Sequence, residues 1–207
     1  MTITISGTSG ITFPAGGTGN PAGAVVGTSD SQTLTNKTIG SGYAGSTVTS
    51  GTTVASTSGT SIDFTGIPSW VKRITVMFAG VSTNGTSTPQ IQLGTSGGIQ
   101  TTSYVGSGGF IYAGYSAYAS NFTSGFGISQ TGQWGTGIFV SGNATITLLD
   151  SSTGLWVCNG WFAREDAPST HYTGGRKSLS GTLDRVRITT VNGTDTFDAG
   201  SINILYE

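Results

Sequence analysis

Polar and apolar residues alternate in short runs along this chain, and the runs end in glycine, serine, threonine or asparagine. Thr2-Ile-Thr-Ile5 and Ile11-Thr-Phe-Pro14 alternate near the start, with glycine-rich turns at 7–10 and 16–23. A period of two places successive side chains on opposite faces of a strand. Ile74-Thr-Val-Met-Phe78 and Pro89-Gln-Ile-Gln-Leu93 repeat the pattern on either side of a turn-rich stretch from Ser82 to Pro89. Ala144-Thr-Ile-Thr-Leu-Leu149 and Leu155-Trp-Val-Cys-Asn159 flank Asp150-Ser-Ser-Thr-Gly154, which predicts a hairpin. Arg185-Val-Arg-Ile188 leads into Asn192-Gly193, a type I′ turn signal, and the chain closes on Ile202-Asn-Ile-Leu-Tyr206. About eight to ten short strands are expected between Asp63 and Glu207, the number of a sandwich or jelly roll. No segment carries a convincing helical period.

Composition agrees. Glycine, serine and threonine fill nearly half of the chain, strong helix formers are scarce, and 4 Trp, 7 Tyr and 9 Phe supply core material. With 8 % charged residues and a net charge of −1, the chain lacks the signature of disorder and is expected to fold as an all-β protein. The apolar residues are unevenly spread. From Gly40 to Thr60 the chain is almost entirely Gly, Ser, Thr, Ala and Val, and larger apolar residues become frequent only after Ile62. This predicts an extended N-terminal attachment or shaft segment at 1–50, a linker at 51–60 and a β-sandwich, jelly-roll-like head domain at 61–207. The few apolar residues of the first segment cannot form a core alone and are most economically buried against copies of the same chain.

Charge sharpens this expectation. No Asp, Glu, Lys or Arg lies between Ile74 and Leu149, so strands there lack the charged gatekeepers that keep exposed edges from pairing. A homo-oligomer would cover them. The same scarcity of charge excludes functions. Eight Lys plus Arg make no basic footprint, so nucleic acid is not expected as a partner. No apolar run reaches the ~18 to 20 residues of a membrane-spanning helix, and the first residues lack a cationic and apolar leader pattern. One cysteine, Cys158, and one histidine, His171, give no internal disulfide and no Cys/His metal cluster, so neither a metal nor a cofactor is expected.

Candidate chemistry is sparse. His171 is the only possible imidazole base of a hydrolase triad, but no Gly-x-Ser-x-Gly elbow is present, and Gly106-Ser-Gly-Gly109 lacks the first spacer. A loop or surface histidine is the expectation. Glu165 with Asp166, or Asp195 with Asp198, could in principle form the carboxylate pair of a glycosidase, although adjacent acids read more simply as solvated charges. Arg185 and Arg187 alternate with Val186 and Ile188 on one strand face, where Asp195 or Asp198 could pair with them. The run Phe110-Ile-Tyr-Ala-Gly-Tyr-Ser-Ala-Tyr-Ala-Ser-Asn-Phe122 is the main recognition feature. Tyrosine offers a flat apolar face with a polar tip, which suits the C–H faces and hydroxyls of a saccharide. Such rings more often fill a core. As ligand contacts the candidates are Tyr112, Tyr115, Tyr118 and Trp134, the last in the loop-like Gly132-Gln-Trp-Gly135, while Trp70, Trp156 and Trp161 are expected in the core.

Several phrases resemble those of known proteins. Ile3-Thr-Ile-Ser-Gly-Thr-Ser-Gly-Ile-Thr-Phe-Pro14 and Asp30-Ser-Gln-Thr-Leu-Thr-Asn-Lys-Thr-Ile39 resemble segments common in fibre and tail-associated proteins of tailed bacteriophages. Asp63-Phe-Thr-Gly-Ile-Pro-Ser-Trp-Val-Lys-Arg-Ile-Thr-Val-Met-Phe78 and Phe197-Asp-Ala-Gly-Ser-Ile-Asn-Ile-Leu-Tyr206 are similar to a C-terminal module of such proteins. The resemblance implies a non-enzymatic structural protein on the exterior of a phage particle, made in the host cytoplasm and usually homotrimeric. Its N-terminal segment would dock on another virion protein, and its head domain would attach to a host-surface glycan or receptor by multivalent weak binding. Two alternatives remain open at this stage: a purely structural head decoration, head fibre or baseplate component, and a surface-polysaccharide depolymerase. Fibres of this kind commonly run to many hundreds of residues, so a 207-residue chain suggests a short fibre, a distal module or a decoration.

Overall fold

β-branched residues at alternate positions favour a pleated surface, and in the computed structural model strands occupy nearly all such runs. Residues 4–6, 10–12, 48–114 and 117–207 are described. The chain divides into two units, 1–45 and 46–207. In the first, β1 (Thr4–Ser6) pairs antiparallel with β2 (Gly10–Thr12), Ile5 opposite Ile11. The rest of the expected attachment or shaft segment, to residue 47, lies outside the described residues.

The second unit contains strands and turns and, among the described residues, no helix. In chain order its strands are β3 (Thr49–Ser50), β4 (Val54–Ala55), β5 (Ser61–Thr65), β6 (Arg73–Thr83), β7 (Pro89–Thr95), β8 (Gly98–Ile99) and β9 (Val105–Tyr112). There follow β10 (Tyr118–Phe122), β11 (Phe126–Gly127), β12 (Val140–Asp150), β13 (Leu155–Arg164), β14 (Ser169–Ser178), β15 (Arg185–Thr190) and β16 (Phe197–Tyr206). They form two antiparallel sheets. The larger runs β10-β9-β14-β13-β12-β6-β16-β3 with β4 also on β16, and the smaller runs β11-β7-β15-β5 with β8 on β7.

The two inner faces form one core. Ile74, Val76, Phe78, Ile146, Trp156, Phe162, Ile202 and Ile204 of the large sheet pack in a single cluster with Ile62, Phe64, Ile91, Leu93, Val186 and Ile188 of the small one. This is a β-sandwich. Each large side chain so buried contributes roughly 1.5–3 kcal/mol, and Phe78 meets Phe162 edge to face with centroids 5.1 Å apart. The hairpin expected around Asp150-Ser-Ser-Thr-Gly154 is β12–β13, with Asp150 opposite Leu155. Its turn is held by the Asp150 carboxylate, which accepts from Ser152 N, Ser152 Oγ and Thr153 Oγ1; these bonds hold the Asp150 pKa below its ordinary value.

Several expectations are corrected. The 51–60 stretch is stitched to the head domain: β4 pairs with β16, and Ser56 is buried with its Oγ donating to Ala199 O at 2.7 Å. The Asn192-Gly193 turn does not close a hairpin. It carries the chain from β15 in the small sheet to β16 in the large one, with Asn192 Oδ1 accepting from Thr194 N and Asp195 N. Arg187 pairs with Asp63 on the neighbouring β5, and Arg185 with the adjacent Asp184, so neither reaches Asp195 or Asp198. Asp195 instead accepts from Ser87 N and Asn192 Nδ2. Of the tryptophans, Trp156 is core as expected, but Trp70 and Trp161 are 51 % and 58 % exposed. Trp161 lies on the outer face of the large sheet, tilted against Tyr172 directly across from it on β14.

The uncharged middle of the chain is largely sheltered within the chain itself. β6 and β12 lie inside the large sheet with strands on both sides. β7 is buried on both faces, because Gln90 and Gln92 on its outer side bond Ser124 Oγ and Ser124 O of a covering segment. What remains at an edge is β10 in one sheet and β11 and the two-residue β8 in the other.

Candidate functional site

At the β10 edge of the large sheet, register brings an unusual set of side chains together. Tyr118 on β10 stands opposite Phe110 on β9, Phe110 opposite His171 on β14, and His171 opposite Phe162 on β13. Residues directly opposite share a face, so four rings form one row across four strands. Tyr118 stacks on Phe110 at 5.6 Å and 20°, and Phe110 on His171 at 5.9 Å and 29°. One step along, Tyr112 stands opposite Ser169.

These residues line a cleft of about 470 Å³, together with Gln130 and Gln133 from the segment after β11 and Arg164 at the end of β13. The size is within the range of small-molecule sites, roughly 300–1,000 Å³. β9 reaches its neighbours closely because it is glycine-rich. A Cβ on Gly108 would lie 1.9 Å from Gly127 O, and one on Gly109 would lie 2.1 Å from Tyr118 O. The Gly106-Ser-Gly-Gly109 phrase is therefore a packing device that seats the wall of the cleft, and Ser107 has no part in it.

His171 is not the surface histidine expected. It is 1 % exposed, and burial, followed by the nearby Arg164 guanidinium, lowers its pKa to about 4, so the ring is neutral near pH 7. Its Nδ1 bonds Ser129 Oγ at 2.8 Å. Ser129 is itself fully buried, behind the ring rather than in the cleft. The pair therefore fixes the imidazole plane, and Nε2, itself buried, has no partner among the described residues. Ser169 Oγ and Gln130 Oε1, on two other residues of the cleft wall, are likewise buried and unpartnered among the described residues. Arg164 is already engaged: its Nε and Nη2 donate to the two carboxylate oxygens of Asp166 at 2.7 and 2.6 Å, which holds Asp166 below its ordinary pKa.

Of the ligand contacts expected from sequence, Tyr112 and Tyr118 both line this cleft, whereas Tyr115 lies outside the described residues. Trp134 is corrected. It is 3 % exposed, donates from Nε1 to Thr83 Oγ1 at 2.8 Å, and meets His171 edge-on at 6.1 Å. It backs the site from inside and does not face a ligand. Phe110, Gln130, Gln133, Arg164, Ser169 and His171 were not foreseen as lining residues; the Ser-x-His spacing on a strand, which puts both on one face, was the available signal. The two acidic pairs do not make a carboxylate pair in the cleft. Asp166 is taken by Arg164, Glu165 bonds Ser141 Oγ, and Asp195 caps the 84–87 and 192–195 turns.

No family model, no curated protein and no solved structure matches this chain.

Proposed function

We propose that this chain is a fibre-like attachment protein on the exterior of a tailed-phage particle, and that its β-sandwich holds a host-surface glycan in the Tyr118–Phe110–His171 cleft. The observation that carries the glycan reading is the cleft's composition: stacked aromatic rings beside buried polar groups that have no partner among the described residues. Saccharides need both an apolar platform and hydroxyl partners. The virion assignment is supported by the fibre-like phrases at residues 3–14, 30–39, 63–78 and 197–206. The N-terminal unit would dock on another virion protein, and a homotrimer would present three clefts, so that weak single-site affinities add to firm adsorption.

The test is competition. Purified chain added to host cells should block adsorption of the particle that bears it, and a Tyr118→Ala chain should not. A chain that neither binds cells nor competes would overturn attachment and leave a purely structural virion role.

A further inference from the structure

Five buried side-chain polar atoms lack a partner among the described residues, and three of them, His171 Nε2, Ser169 Oγ and Gln130 Oε1, belong to residues that line the one cleft beside Tyr118. His171 and Ser169 are 1 % and 7 % exposed. A buried polar group without a partner costs free energy, so a native fold that gathers three in one place holds them for something that satisfies them. The chemistry of the three is specific. An amide oxygen only accepts, a serine hydroxyl does both, and a neutral imidazole nitrogen does one or the other with its tautomer. A hydroxyl, which donates and accepts, can meet all three; a carboxylate has nothing to donate to Gln130 Oε1.

The electrostatics of the cleft are closed as well. Its one cation, Arg164, forms a two-pronged pair with Asp166, so an incoming anion would have to displace that carboxylate or sit beside its charge. His171 adds no positive charge near neutral pH, because burial holds the ring neutral. Among the described residues the neighbouring acid Glu165 accepts from Ser141 Oγ, outside the cleft, which leaves Asp166 as the acid bonded to the cleft wall.

We infer that the cleft is a subsite for an uncharged pyranose, whose apolar ring face lies against the Tyr118–Phe110 pair and whose hydroxyls satisfy Ser169, His171 and Gln130. This rests on the glycan-binding reading above and names its sugar class. The neutral ring replaces the hydrogen bonds that folding leaves unmade, and the closed Arg164–Asp166 pair selects against uronic and sialic acids.

Ligand-observed saturation-transfer NMR on the full chain tests this, with methyl glycosides of glucose, galactose, mannose and N-acetylglucosamine as neutral probes, and of glucuronic and N-acetylneuraminic acids as anionic ones. At least one neutral glycoside should bind. Ser169→Ala should weaken it by about tenfold, the value of one well-formed hydrogen bond, while its melting temperature stays level or rises, because an unpaired buried hydroxyl has been removed. Tyr118→Ala, at a 45 % exposed position, should abolish binding with the fold retained. Binding of anionic glycosides alone would overturn the neutral class and leave glycan recognition standing. Neutral binding unmoved by either substitution would overturn the assignment to this cleft. Binding of no probe of either class would overturn both this subsite and the glycan reading on which it rests.

Discussion

Phe110 and His171 face each other across the β9–β14 pair with ring centroids 5.9 Å apart, which ties the aromatic hairpin at the sheet edge to the chain's only histidine. The contact helps to hold β9, and β10 beyond it, against the sheet as a wall of the cleft. Tyr118 continues the row outward, and Trp134 closes it from the core side. Recognition surface and core are thus one packed ladder, and a change at either end is felt at the other.

Gly108 of β9 and Gly174 of β14 should behave oppositely. A Cβ on Gly108 would collide with Gly127 O at 1.9 Å, backbone against backbone, whereas one on Gly174 would meet Cys158 O at an ordinary 3.8 Å. Gly108→Ala is expected to cost at least ~2 kcal/mol by overpacking, and Gly174→Ala to be neutral or slightly stabilising through lost unfolded-state freedom. Urea unfolding of both variants checks this, and equal stabilities would show that β9 and β11 are not as close as 1.9 Å implies.

Trp134 and Trp161 exchange the roles that their sequence context suggests. Trp134→Phe should remove the partner of Thr83 Oγ1, whose residue is fully buried, and cost about 1–3 kcal/mol. Trp161→Ala, at a 58 % exposed position, should change stability by under ~0.5 kcal/mol. Acrylamide quenching compared between wild type and each variant gives a second readout: the quenchable fraction should fall on losing Trp161 and not on losing Trp134.

Cys158 should be silent as a thiol. It is buried in the core cluster, and burial pushes its pKa well above the ordinary range, so thiolate is scarce. A thiol-reactive disulfide reagent at pH 8 should label it only when urea unfolds the chain. Prompt labelling of the native protein would mean that the β13 region opens locally.

How far the sequence foretold all this differs by element. The period-two runs gave β6, β7, β12, β13 and β16 because alternation is a local property, and Asp150-Ser-Ser-Thr-Gly154 named its own hairpin. Asn192-Gly193 misled because a turn signal reports chain reversal and not which sheet receives the next strand. Trp161 and Trp134 were exchanged for a related reason: burial depends on which face of a strand, or which loop, the other sheet covers. Tyr112 and Tyr118 were legible from composition alone, but Ser169, His171 and Gln130 were not, since the β9–β14 register places the first two beside the tyrosines and the path of the chain after β11 places the third.

His171 supplies a pH dependence with a definite sign. Its folded pKa is lowered to about 4 by burial and then by Arg164, against an ordinary 6.5 in the unfolded chain. Between those values the unfolded state binds a proton that the folded state refuses, so acid favours unfolding. The contribution is full above about pH 6.5, shrinks as pH falls through the window, and is gone below about pH 4, for a total of about 3 kcal/mol. His171→Phe should keep the ring against Phe110 and lose this share of the acid sensitivity. Urea unfolding at pH 7 and pH 4 should therefore show wild type losing about 3 kcal/mol more than the variant, the titrating carboxylates being common to both. Because the chain has one histidine, its imidazole C–H resonances titrate alone in NMR, and a midpoint near 6.5 in the folded protein would mean that the ring is solvated and not the wall of a closed cleft.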